Sequence, residues 1–132
     1  MPKELFWLTL TVAMTGLIWL PYILDRMMVR GLMGTLANPS TSDKPHSAWA
    51  KRMMAAHMNA VENLAIFAPL VLIAQYLDIS NAATVFAGAL YFWSRLGHAV
   101  VYTLGFPIAR TIAFTGGFIA QVLMVLAIFT LI

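Results

Sequence analysis

The chain has no cysteine among its 132 residues. That excludes disulfides, a thiolate nucleophile of its own and any cysteine-ligated metal. Charge is also scarce: Asp, Glu, Lys and Arg make up 10% of the residues, against about 25% in a typical soluble domain. The net charge is only +3. Its basic residues flank apolar segments instead of forming a patch, which argues against nucleic acid as a partner. There is no internal repeat, no low-complexity tract, and no nucleotide or kinase motif. No hydrophilic stretch is long enough for a separate soluble domain, so residues 1–132 read as one domain.

Apolar residues, at 61% of the chain, are abundant. With so little charge, this composition points to an integral membrane protein. Phe6 to Leu24 carries no charge, and about twenty helical residues cross a bilayer core. It lacks the short apolar core and small-residue cleavage site of a secretory signal, and is expected to be a retained first span. Pro21 predicts a kink near its end. A second span begins near Met53 and runs to about Leu77, with Pro69 inside it. Asp78 to Asn81 reads as a turn, with Ser80 or Asn81 as the following N-cap. The third span is Ala82 to Leu104 and the fourth Ile112 to Ile132. The expected fold is therefore an all-α four-helix transmembrane bundle, with helices at about 5–25, 47–77, 82–105 and 110–132.

The only long polar connection, Asp25 to Arg52, holds Arg26, Arg30, Lys44, Lys51 and Arg52. Basic residues stay on the cytoplasmic side of a membrane. The first loop, and with it the loop at Arg110, is thus expected in the cytoplasm, with both termini outside. Trp7 and Trp49 have the character of interface anchors.

Polar residues inside the spans are few and grouped. The second span carries His57, Asn59, Glu62 and Asn63; the third carries Arg95, His98 and Tyr102 at i, i+3 and i+7. Asn59, Glu62 and Asn63, three and four residues apart, are expected on one helical face. Glu62 lies nine residues from the start of its span and Arg95 nine from the end of its own. Both are roughly 13 Å deep at about 1.5 Å per residue. Opposite charges at equal depth predict a buried Glu62–Arg95 pair. Such a cluster is either glue for the bundle or a site for a polar ligand. Two histidines and one carboxylate at unmatched depths make a poor metal site.

These motifs resemble those of the MAPEG family, the membrane-associated proteins of eicosanoid and glutathione metabolism. The family's second helix carries Arg-Ala-His-x-Asn-x-x-Glu, and Ala56-His57-Met58-Asn59-Ala60-Val61-Glu62 matches from the alanine on. Its third helix carries Arg-x-x-His-x-x-x-Tyr, which Arg95, His98 and Tyr102 match in full. The turn at Ala37-Asn38-Pro39 and the later Arg110 are also similar. Ala55 stands where the family has its opening arginine, Met58 where some relatives have a second, and Arg52 lies about one turn earlier.

The resemblance implies a homotrimer that binds glutathione between subunits near the cytoplasmic side. Asn59, Glu62, Arg95, His98 and Tyr102 would form the glutathione site, with Arg30 and Arg110 as basic partners and Arg110 stabilising the glutathione thiolate. The implied activity is a membrane glutathione transferase or peroxidase acting on apolar electrophiles or lipid hydroperoxides. The alternative is a non-catalytic protein of the same fold that binds a lipid or another small ligand.

Overall fold

The computed structural model describes residues 1–132. The chain is all helix: α1 (Lys3–Leu17), α2 (Trp19–Leu36), α3 (Ala48–Tyr76), α4 (Ala82–Leu104) and α5 (Pro107–Ile128). Because α1 and α2 are interrupted only at Ile18, they make one rod of 34 residues, and the molecule has four rods. Pro21 accounts for the interruption one turn before it. The proline has no N–H to give the Leu17 carbonyl, and its ring crowds that carbonyl.

The first rod does not stop near Asp25, as the charge pattern predicts, but runs on to Leu36. Arg26, Met27, Met28, Leu32 and Met33 are good helix formers in their own right, so charge ends the apolar span without ending the helix. Gly31, at φ +71°, bends the backbone within α2. Helix α3 passes through Pro69 unbroken. Asn81 is the N-cap of α4: its side-chain oxygen accepts the Ala83 and Thr84 N–H groups, and the Thr84 hydroxyl accepts the Asn81 N–H. These reciprocal bonds satisfy donors that every helix start leaves open.

Helix α4 lies at the centre, packed against α1, α3 and α5. Three rods are long and apolar enough to cross a membrane on composition alone: Lys3–Leu36, Ala48–Tyr76 and Pro107–Ile128. With 23 residues α4 has the length, but Ser94, Arg95, His98 and Tyr102 lower its hydropathy. The helix that carries the buried Arg95 and His98 is the one the others enclose. Phe67 and Tyr91 stack at 3.8 Å in a core joining all four rods, with Leu8, Val71, Ala87, Ala120 and Met124 around them. Alanines at the crossings let the backbones approach closely. Only 24 of 132 residues are buried, and most large apolar side chains face outward, as suits a chain surrounded by lipid or by other chains.

Helix α4 ends at Gly105, which takes the left-handed conformation at φ +88°. The Phe106 N–H reaches back to the Val101 carbonyl at 3.0 Å, closing a Schellman turn. Pro107 then opens α5 with its backbone already in helical form. Substituting Gly105 with alanine forces a β-carbon into that conformation, at a cost of about 1–2 kcal/mol. Gly105→Ala is expected to lower the melting temperature in detergent. Gly97→Ala, in open space on the same helix, is expected to leave it unchanged or raise it. Equal effects from both would show that the turn does not depend on its glycine.

Candidate functional site

The polar side chains of the interior form two connected groups. The deeper is centred on Arg95, which is 1% exposed. Its Nη2 donates to Asn59 Oδ1 at 2.5 Å, while Nε and Nη1 have no partner. Asn63 Nδ2 donates to the Asn59 carbonyl at 2.9 Å, and Gln121 Nε2 donates to Asn63 Oδ1 at 3.3 Å. Gly117 makes room for the arginine: a β-carbon there would lie 3.3 Å from Arg95 Cδ. The Tyr91 hydroxyl and His98 Nδ1 are also buried without partners.

The expected Glu62–Arg95 pair is not formed. Arg95 makes no ion pair, the carboxylate contacts of basic side chains being Arg30 with Asp43 and His46 with Asp25, and Glu62 is exposed. Angular position explains why equal depth was insufficient. At about 100° per residue, Glu62 points about 80° away from the mean direction of Asn59 and Asn63. The asparagine stripe faces Arg95 and Gln121, so Glu62 is turned out of the bundle and the three do not share a face.

The second group lies where α4 turns into α5. Arg52, Tyr102, Gly105, Phe106, Pro107 and Arg110 surround a hollow of about 150 Å³. The Arg110 guanidinium sits 4.6 Å from the Tyr102 ring centroid, within the range of cation–π attraction. The turn at Gly105 folds α5 back and places it there. Arg52 Nε donates to the Thr103 carbonyl at 2.8 Å, leaving its terminal nitrogens free. His98 meets Tyr102 edge to face at 5.5 Å and links the two groups. The site thus presents cationic and hydroxyl donors with no acidic residue on its walls, which suits an anion.

Arg95, Asn59, His98, Tyr102 and Arg110 form this connected arrangement. Arg30 is not among the residues that line the hollow. Its Nε donates to the Lys44 carbonyl at 2.8 Å and its Nη1 to Asp43 Oδ2 at 3.4 Å, beside a separate hollow. His57 is drawn to the first rod, with Nδ1 2.8 Å from the Tyr22 hydroxyl. One contributor, Gln121, went unanticipated, and Arg52 stands out in the sequence only as lying about one turn before the missing family arginine. Gln121 is the one amide in α5, set in the apolar run that follows Thr115, a signal visible in the sequence. Arg52 becomes part of the hollow only through the turn at Gly105.

A polar seam enclosed by long apolar rods defines the class: a helical membrane protein. Compared with known families, residues 5–130 match the MAPEG family, and the chain belongs to it. No curated protein matches the chain.

The Asn59–Arg95 bond is testable by a double-mutant cycle. A hydrogen bond to a charged group is worth about 1.5–3 kcal/mol, and Asn59→Leu removes the guanidinium's only partner. Asn59→Leu and Arg95→Met should each lower stability in detergent, and the double variant should lose less than their sum. Glu62→Gln should leave stability nearly unchanged. Strict additivity of the first two would reject the bond.

Proposed function

We propose that the protein is a glutathione-dependent membrane enzyme that conjugates glutathione to apolar electrophiles or reduces lipid hydroperoxides. The observation that carries this reading is the hollow between Arg52, Tyr102 and Arg110. Glutathione has two carboxylates and a thiol, and the two guanidinium groups and the phenol offer donors for anions. Bound glutathione supplies the sulfur nucleophile, which the cysteine-free chain lacks. Arg110 favours the thiolate over the thiol by its charge. Tyr102, fixed between His98 and Arg110, orients the ligand and donates its hydroxyl. The surrounding apolar rods give lipophilic substrates a path from the bilayer.

The site is completed by other copies of the chain. A hollow of about 150 Å³ is below the roughly 300–1,000 Å³ of sites that enclose drug-sized ligands. Helix α3 carries an exposed stripe at Lys51, Ala55, Met58, Glu62, Ala65, Pro69, Leu72 and Tyr76. Its alternating steps of four and three are the spacing of a coiled-coil seam. Glu62 lies within it, and a carboxylate facing lipid mid-span costs on the order of 3 kcal/mol. A homotrimer assembled on this stripe, as in the family's fold, removes Glu62 from lipid and brings it to glutathione bound between subunits. Arg30 reaches the same ligand from the last turns of α2, once released from Asp43. The connection holding Lys44 and the turn that leads into Arg110 at the start of α5 face the cytoplasm, and both termini lie outside.

One observation favours the second reading, a MAPEG protein that binds a small ligand without catalysis: Ala55 and Met58 occupy positions that are arginine in relatives. Titration with glutathione separates the two. An enzyme shows thiolate absorbance on saturation; Arg110→Gln should abolish it, and Glu62→Gln should weaken binding about tenfold or more. Saturable binding with no thiolate signal would favour the second reading, and no binding at all would reject glutathione. Native mass spectrometry in mild detergent should show three chains, and a monomer at high concentration would contradict the assembly. Cysteines introduced at Ser42 and Asn81 should label from opposite sides of the membrane.

A further inference from the structure

The largest cavity of the molecule, about 700 Å³, lies at the other end of the bundle, between α1 and α4. Lys3 and Trp7, one turn apart, form one wall. Ala82, Val85, Phe86 and Ala89 form the other, their i, i+3, i+4, i+7 spacing placing them on one face of α4. Its floor is set by the close approach of the two helices, since a β-carbon on Gly88 would lie 3.2 Å from Trp7 Cβ.

The trough is polar at one end only. Lys3 makes no ion pair, although a carboxylate follows it directly in the chain. Glu4 is turned into the bundle instead: its Oε1 accepts hydrogen bonds from the Ser80 hydroxyl at 2.7 Å and the Thr84 hydroxyl at 2.6 Å, while its Oε2 is buried without a partner. It is 1% exposed and pins the start of α4 to α1 from behind the wall. The Asn81 side-chain oxygen is taken up by the Ala83 and Thr84 N–H groups, and its Nδ2 reaches only the Ile132 carbonyl at 3.5 Å. The Ala82 N–H, at the positive end of the α4 dipole, is left open. From Asn81 to Ala89 the other side of the trough is apolar for about 12 Å, at about 1.5 Å per residue.

An unpaired ammonium and amide donors at the head of a lipid-facing apolar trough match the head and tail of a phospholipid. Basic pockets between membrane helices bind lipid phosphates in this way, and tryptophans settle at headgroup level. A free phosphate would use the head but not the apolar walls. We propose that this trough seats a phosphate-bearing glycerolipid, with its phosphate on Lys3 and the start of α4 and one acyl chain between Trp7 and Phe86.

Native mass spectrometry of the full chain in mild detergent tests this. The protein is offered phosphatidylglycerol, or diacylglycerol with the same acyl chains, each with and without inorganic phosphate. Phosphatidylglycerol should be retained at one per chain, diacylglycerol should not, and millimolar phosphate should displace neither. Lys3→Gln should weaken retention about fivefold, the effect of one charge near a membrane surface. Ala89→Phe, which fills the acyl end, should weaken it independently, with the assembled mass and glutathione titration of both variants unchanged. Equal retention by Lys3→Gln and the unsubstituted chain would overturn the proposal, as would equal retention of diacylglycerol. Displacement by inorganic phosphate would assign the head to the free anion and overturn the lipid.

Discussion

A guanidinium enclosed by apolar helices with no carboxylate opposite it is the constraint on which the rest of the fold depends. Arg95 cannot face lipid without a large cost, so α4 takes the central place and three rods cover it. Its only partner is the amide of Asn59. That amide is itself held within α3 by Asn63, and Asn63 is met by Gln121 from α5. One seam of hydrogen bonds therefore orients α3, α4 and α5 about their axes. Apolar packing alone leaves such rotations poorly specified, because lipid tails and apolar side chains are nearly equivalent surroundings.

The two ends of the bundle are built on opposite electrostatic plans. Where α4 meets α5, guanidinium groups and a phenol gather with no acid among them, and the turn at Gly105 folds Arg110 back over Tyr102. Where α1 meets the start of α4, the polar work is done by a buried acid: Glu4 ties Ser80 and Thr84 to the first helix. Both ends use polar groups to fix backbone that apolar contacts would leave loose. They differ in what remains free afterwards: at the first, several donors on a hollow; at the second, Lys3 and the opening N–H of α4.

The single chain leaves a large apolar surface and one exposed intramembrane carboxylate, Glu62, on a seam with coiled-coil spacing. MAPEG membership gives that seam a rationale. A buried stripe of α3 packs within the chain while the exposed stripe carries the family's glutamate outward. Asn59 and Glu62 belong to one sequence motif yet serve two surfaces.

The sequence by itself determined the class, the family and the helical composition, because these depend on local quantities. Charge scarcity, apolar run length and motif spacing all act within one helix, and each survived in the structure with shifted ends. The tertiary structure decided the partners. Equal depth brought Glu62 and Arg95 level, but rotation of α3 about its axis chose Asn59 instead and left Glu62 outside. Arg52 and Arg110 are 58 residues apart in the chain and line one hollow only because Gly105 adopts a left-handed turn. Gln121 was visible as the lone amide of α5, but its pairing with Asn63 was not. Periodicity specifies which side chains share a stripe. Which stripe meets which depends on the rotation and crossing of whole helices, and that is settled by every contact in the bundle at once.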